Sequence, residues 1–217
     1  NQFGARTGRL TTHKGTMPIL TLPSSLRRGI LPQHDFFVEL DFNGAEVRTL
    51  LGLLQKAQPK EDIHTFHQKT IFNNKLDRSS AKVAFFGWLY GSKKTVTPEQ
   101  SDALNNYYDK ASLLDQYWKD GQIVTPYKKV IPNVDKHHAL NYLVQSTAAE
   151  LLIKQCLKIS YLLEKKGHGS HVSFMIHDSI ILDMKKEDLP LLDAVIYLMS
   201  STNFGDFTVN RKKGSNL

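Results

Sequence analysis

The sequence predicts an α+β fold, with a mostly helical stretch between two β-prone segments. Three observations carry this. Residues 36–42, FFVELDF, are apolar and β-prone, as in a buried strand. Residues 171–184, HVSFMIHDSIILDM, are two β-prone runs split by His177-Asp178, the pattern of a hairpin with an acid at its tip. Between them, most segments repeat their apolar residues at helical spacing.

Residues 1–35 carry many Gly, Pro, Ser and Thr, which predicts an irregular segment with short strands. In FGARTGRL at 3–10, Gly4 and Gly8 surround two arginines, so the backbone can bend close to a ligand. Gly44 follows the first strand. Residues 45–56, AEVRTLLGLLQK, predict an amphipathic helix with Leu50, Leu51 and Leu54 on its core side and Pro59 past its end. Asp62 can cap a helix that holds His64 and reaches about Asn73, and Asp77 can cap the next. Pro98-Glu99 opens a helix expected to reach about Trp118. Residues 121–132 read as a short hairpin or loop. The longest helix is expected over 137–166, with a stripe of Leu140, Leu143, Val144, Leu151, Leu152 and Leu157, stopped by Gly167 and Gly169. Residues 188–201 read as a helix with Pro190 in its first turn, and FTVNRKKGSNL as a strand and a tail.

A chain of 217 residues can bury a full core, and 41% hydrophobic with 23% charged residues is ordinary for a soluble globular protein. The formal net charge is +7. Its cations are scattered as Arg27-Arg28, Lys93-Lys94, Lys128-Lys129, Lys165-Lys166, Lys185-Lys186 and Arg211-Lys212-Lys213. A diffuse positive field favours a nucleic-acid partner, and it is also what solvated surface looks like. The single cysteine, Cys156, excludes an internal disulfide and a thiolate metal site. His168 and His171 lack the partners a zinc site needs. No apolar run approaches membrane-spanning length and no signal peptide is visible, so no membrane partner is expected.

The most informative stretch is 77–92, DRSSAKVAFFGWLYGS. Arg78, Lys82, Phe86 and Tyr90 recur every fourth residue and form one stripe, with Ala81, Ala84, Phe85 and Trp88 roughly opposite. Two cations one turn apart repel by a few tenths of a kcal/mol, a cost a polyanion would remove. Guanidinium, ammonium and two rings suit a nucleoside triphosphate; the stripe also fits a solvated helix end running into core aromatics. Two acids, Asp41 and Asp178, stand at strand ends. Each is equally a turn or cap residue by pattern. Paired, they would match the oxygen preference of Mg²⁺, and two such ions about 4 Å apart can clamp an in-line phosphoryl transfer.

In this order, these segments resemble the family A DNA polymerases. The first motif, D-x-x-G-x-E-x-R, is Asp41, Gly44, Glu46 and Arg48. The second, R-x-x-x-K-x-x-x-F/Y-G-x-x-Y-G, is Arg78, Lys82, Phe86, Gly87, Tyr90 and Gly91. The third is His177-Asp178 at the hairpin tip. TGRL at 7–10, Asp62-Ile63-His64-Thr65, and N-x-x-x-Q-x-T-A-A at 141–149 support them. The match is colinear over nearly the whole chain.

The resemblance implies a polymerase palm, an antiparallel sheet with packed helices, with inserted helical fingers. Residues 1–62 would be the first part of the palm, 63–136 the fingers and 137–217 the second part of the palm. It implies template-directed addition of deoxynucleotides to a primer 3′ end, with pyrophosphate released. Asp41, Asp178 and the Phe42 carbonyl would ligate two Mg²⁺. Arg78, Lys82 and His64 would hold the triphosphate, with Lys82 also the proton donor to the leaving pyrophosphate. Phe86 and Tyr90 would stack near the incoming sugar and the templating base, and Glu46 would block a 2′-hydroxyl. Arg9, Asn141, Gln145 and His177 would contact DNA. The implied setting is the cytoplasm of a bacterial or phage-infected cell.

Four departures accompany the resemblance. Ser179 stands where the family usually has Glu, and His137 where it usually has Arg. The fingers between Tyr90 and Asn141 are short, and no thumb precedes TGRL, nor is an exonuclease domain visible. Grip on duplex DNA would then come from a thumb-bearing segment or another replication subunit. His-Asp-Ser is also similar to the third motif of single-subunit RNA polymerases, against which Glu46 and Phe86-Gly87 argue. A non-catalytic DNA-binding polymerase subunit is the remaining alternative, against which the joint presence of Asp41, Asp178, Arg78 and Lys82 argues.

Overall fold

The computed structural model describes residues 1, 4–92, 94–165, 167 and 169–217, and for Ser24 the backbone only. Phe3, Lys93, Lys166 and His168, cited above, lie outside the described residues. The elements are α1 (Ser24–Arg27), β1 (Phe36–Phe42), α2 (Ala45–Leu53), α3 (Ile63–Phe66) continued by a π-turn (His67–Ile71), α4 (Arg78–Leu89), α5 (Pro98–Tyr107) and α6 (Lys110–Tyr117). There follow β2 (Trp118–Lys119), β3 (Gln122–Val124), β4 (Val130–Ile131), α7 (Lys136–Lys165), β5 (His171–Ile176) and β6 (Ser179–Met184). A 3₁₀ turn (Lys186–Leu191), α8 (Leu192–Ser200), β7 (Ser201–Thr202), β8 (Gly205–Asp206) and β9 (Val209–Gly214) complete the chain. It is a mixed α+β fold with antiparallel sheets.

The chain divides into two compact units. The first holds Asn1–Asn43, Ala149–Thr202 and Asp206–Leu217; the second holds Gly44–Ala148 and Asn203–Gly205.

The first unit is built on a four-stranded sheet in the order β5-β6-β1-β9. Successive side chains of a strand point to opposite faces, and the two faces here differ sharply. Val38, Leu40, Phe42, Ile180, Leu182 and Met184 are buried on one. The other carries Glu39, Asp41, Ser179, Asn210 and Lys212 on neighbouring strands. Residues 36–42 are thus a largely buried strand, as expected, with only Glu39 and Asp41 partly exposed. The N-terminal segment contains the short α1 and no strand among its described residues. Its Ile19, Leu20 and Ile30 pack against Phe37, Ile176 and Ile181.

Within this unit Gln155 of α7 donates to the carbonyls of Leu198, Met199 and Ser201 at 2.6, 3.1 and 2.8 Å. That contact turns one face of α7 inward. Leu157 lies about 200° further round and is exposed, unlike the expected stripe. Pro190 sits in a 3₁₀ turn, and α8 begins only after it. A ring without an N–H suits such a turn better than an α-helix interior.

The second unit is mostly helical. Its core joins Val47, Leu50 and Leu51 of α2, Ala81, Ala84, Phe85 and Trp88 of α4, Leu104 of α5 and Leu140, Leu143 and Val144 of α7. Gly44 precedes α2 at φ 72°, and a Cβ there would meet Ile63 Cγ2 at 2.4 Å, so only glycine fits this turn. Asp77 caps α4 by accepting from the Ser80 N–H at 2.7 Å. The helix expected from Pro98 to Trp118 is two helices. The chain breaks at Tyr108, whose hydroxyl is drawn to His67 Nε2 at 2.6 Å, and Asp109 caps α6.

Candidate active site

The helical unit places the α4 stripe as its spacing suggests. Ala81, Ala84, Phe85 and Trp88 are buried, whereas Arg78 and Lys82 are exposed. Phe86 and Tyr90 stack with ring centroids 5.6 Å apart. Tyr90 Oη donates to Glu46 Oε2 at 2.9 Å, so the acid of α2 meets the aromatic end of α4. At that end Gly91 has φ 73° and the His137 ring lies where its Cβ would be. Asn141 and Gln145 stand one turn apart on α7. Asn141 Oδ1 is buried and has no hydrogen-bond partner among the described residues.

Asp62, which the sequence marks only as a cap, does two jobs. Its carboxylate accepts from the backbone N–H groups of His64 and Thr65 at 3.1 and 2.9 Å. It also takes a bidentate pair from Arg78, Nε and Nη2 each at 2.8 Å. Arg48 is fully buried and holds the preceding loop through the carbonyls of Pro59 and Glu61 at 2.7 and 3.0 Å. Burial lowers its pKa to about 10, against the favourable charge of Asp62.

Burial pushes the His64 pKa down to about 4; Asp62 raises it, and Lys82 and Arg78 lower it further. His67 is pushed to about 3, first by burial and then by His64. Near pH 7, His64 therefore offers a ring N–H rather than a charge. A ring whose folded pKa lies below its unfolded value of 6.5 stabilises the fold above pH 6.5 and loses that contribution as pH falls. Stability should drop from pH 6.5 toward pH 4 by up to about 1.4 kcal/mol per pH unit for each ring. Urea titrations at pH 7 and pH 5 check this, and replacing His67 and Tyr108 together by Phe should flatten the decline.

The sheet unit brings Glu39 and Asp41 to one face, with Asp178 at the neighbouring hairpin tip. Asp41 stands opposite Ser179 on β6 and Asn210 on β9. Ser179 Oγ lies 3.1 Å from Asp41 Oδ1 and also 3.1 Å from Glu39 Oε1. Asn210 Nδ2 donates to Asp41 Oδ2 at 3.4 Å, and Lys212 Nζ is 3.5 Å from Glu39 Oε2. His177, at φ 54°, and Asp178 form the exposed tip between β5 and β6. The Asp41 pKa is raised, first by burial, then by the Asp178 charge; Asn210 and Ser179 lower it, and Glu39 adds a smaller rise. Asp178 thus lies near enough for its charge to reach Asp41. Arg9 is exposed in the same unit.

An Asp41 carboxylate whose proton affinity is raised by burial and by the nearby Asp178 charge is a donor that a divalent cation would relieve. Carboxylate oxygens are hard donors suited to Mg²⁺, which is commonly held by one or two carboxylates plus substrate phosphates. Among the described residues no group of three or more His, Cys, Asp or Glu is disposed to hold a metal ion by itself, and no helix is long and apolar enough to cross a membrane. Glu39 and the second role of Asp62 have no motif in the sequence. The signal that could have found Glu39 is its two-residue spacing from Asp41 on a strand.

No protein-family model matches the chain. Its sequence is similar to DNA polymerase I of Streptococcus pneumoniae serotype 4, 22% identical over 233 residues, covering 85% of this chain and 26% of that protein. DNA polymerase I of Bacillus subtilis strain 168 is 22% identical over 242 residues, with 90% and 28% covered. DNA polymerase I of Chloroflexus aurantiacus is 21% identical over 253 residues, with 96% and 27% covered. The chain thus spans about a quarter of the length of these relatives. Among solved structures it is similar to the POL domain of Pol1 from M. smegmatis, in complex with DNA primer-template and dNTP. The TM-score is 0.79 at 18% identity, covering 100% of this chain and 47% of that one. The chain is thus similar in sequence to DNA polymerase I along most of its length, and it has the fold of a polymerase POL domain over all of it.

Proposed function

We propose that the chain is a catalytic portion of a template-directed DNA polymerase, adding deoxynucleotides to a primer 3′ end with release of pyrophosphate. The observation that carries this is the α4 stripe: exposed Arg78 and Lys82, then Phe86 stacked on Tyr90, then Tyr90 bonded to Glu46. Charge for phosphates, rings for a nucleoside and a carboxylate at the rings follow one another in the order a nucleotide would need.

In the reaction, the primer 3′ oxygen forms a bond to the α-phosphorus while the bond to the pyrophosphate oxygen breaks. Such transfer needs positioning and charge neutralisation more than covalent chemistry. Asp41, Asp178 and the Phe42 carbonyl would hold two Mg²⁺, which when bound neutralise charge on the attacking and leaving oxygens. Arg78 and Lys82 hold the triphosphate, His64 adds a neutral ring N–H, and Lys82 Nζ gives a proton to the leaving pyrophosphate. Glu46, held in place by Tyr90, excludes a 2′-hydroxyl. Arg9, Asn141, Gln145 and His177 contact the primer-template, and a thumb-bearing segment or another replication subunit adds grip. The M. smegmatis neighbour, solved with primer-template and dNTP, supports DNA and a nucleotide as partners.

Primer extension with Mg²⁺, comparing dNTPs and NTPs on DNA and RNA templates, tests this. The expected result is extension with dNTPs on DNA. Preference for NTPs would favour an RNA polymerase, and no extension at any protein concentration would favour a non-catalytic subunit. Template binding should weaken steeply with salt, since the partner is a polyanion.

A further inference from the structure

We infer that Glu39 is a positioning carboxylate for the metal site, acting on Asp41 through the shared Ser179 hydroxyl. This rests on the reading of Asp41 and Asp178 as metal ligands. A serine hydroxyl carries one proton, yet Ser179 Oγ stands 3.1 Å from an oxygen of Glu39 and 3.1 Å from an oxygen of Asp41. Two acceptors therefore compete for one donor, and the hydroxyl ties both carboxylates to one point. Ser179 is buried, so this sharing is not averaged away by solvent.

The strand register explains the arrangement. Ser179 pairs directly with Asp41, while Glu39 is two residues back on the same face of β1 and opposite Ile181. A short side chain at 179 leaves room, and the Glu39 carboxylate reaches into it along the sheet. Lys212 on β9 steadies the far oxygen of Glu39 from 3.5 Å. Of the three acids, Glu39 alone is within ion-pair distance of a cation among the described residues. Asp41 is then fixed from both neighbouring strands, by Ser179 at one oxygen and by Asn210 at the other. Each Asp41 oxygen keeps a lone pair for a cation. A third negative charge stays close without becoming a ligand. In effect the carboxylate absent from position 179 of β6 is supplied from β1.

Hydrogen-bonded partners of metal-ligating carboxylates commonly set metal affinity by 10–100-fold. The test is Mn²⁺ titration of the full chain, followed by the EPR signal of the free ion, with thermal melts as a folding control. Glu39→Gln should weaken Mn²⁺ binding about tenfold or more. Ser179→Ala, which removes the shared hydroxyl without touching β1, should weaken it comparably, and it carries the test if Glu39→Gln fails to fold. Glu39→Gln combined with Ser179→Glu returns a carboxylate to β6 and should recover affinity to within about threefold of wild type, a non-additivity expected only of coupled sites. Wild-type affinity in both single variants overturns the inference, as does a double variant that recovers nothing. Asp41→Asn separates the two readings. Loss of Mn²⁺ there with no effect at Glu39 sinks only the role of Glu39. No loss at Asp41, or no Mn²⁺ binding by wild type, sinks the metal site itself.

Discussion

Asp41→Asn and Asp178→Asn are each expected to abolish nucleotide addition, lowering kcat/KM on the order of 10³-fold, or ~4 kcal/mol of barrier. Asparagine keeps the shape of the side chain and removes the anionic oxygen that would face a cation. At position 41 the new amide can keep its orientation, accepting from Asn210 Nδ2 and donating to Ser179 Oγ, whose proton then goes to Glu39; what is lost is the charge. The fold should survive, because β1 is held by backbone pairing to β6 and β9 along its whole length. Removing one of two mutually repelling carboxylates should leave the melting temperature unchanged or slightly higher, given the raised Asp41 pKa. Primer extension and a thermal melt on the same samples decide it. Extension near the wild-type rate by either variant removes that Asp from the mechanism.

Glu46→Ala is expected to raise ribonucleotide incorporation by on the order of 10²-fold, the range a steric contact can supply. Glu46 is buried and accepts from Tyr90 Oη at 2.9 Å, so its position is fixed by α4 rather than by solvent. Truncation opens space and removes the carboxylate that Tyr90 Oη donates to. Tyr90→Phe keeps the carboxylate and removes its tether, and should give a smaller increase. Single-turnover incorporation of dNTP and NTP on one template measures both. Equal discrimination in wild type and Glu46→Ala would take Glu46 out of sugar selection.

What could be read in the sequence depended on how locally each feature is encoded. The ends and faces of α4 were legible because an N-cap at Asp77 and a four-residue repeat lie within one segment. The tip at His177-Asp178 was legible for the same reason. The break at Tyr108 was not, since it turns on a buried bond to His67, 41 residues earlier. The sequence does hold a trace of it, in that Asp109 is a capping residue three positions before Ser112. Leu157 misled because its neighbour Gln155 takes the inward position for three carbonyls of the C-terminal segment. Around Asp41, the apolar run FFVELDF concealed that Glu39 and Asp41 share a polar end of one sheet face. Ser179 read as a missing acid, whereas its hydroxyl joins two acids from the adjacent strand.

If Arg78 holds a triphosphate as proposed, the incoming phosphates must displace a resident counterion, the Asp62 carboxylate, rather than meet a bare guanidinium. The exchange costs little, because the pair is partly exposed and surface pairs are worth ~0–1 kcal/mol. Once Arg78 lets go, Asp62 still caps α3, so the helix that bears His64 stays in place when its neighbour changes partner.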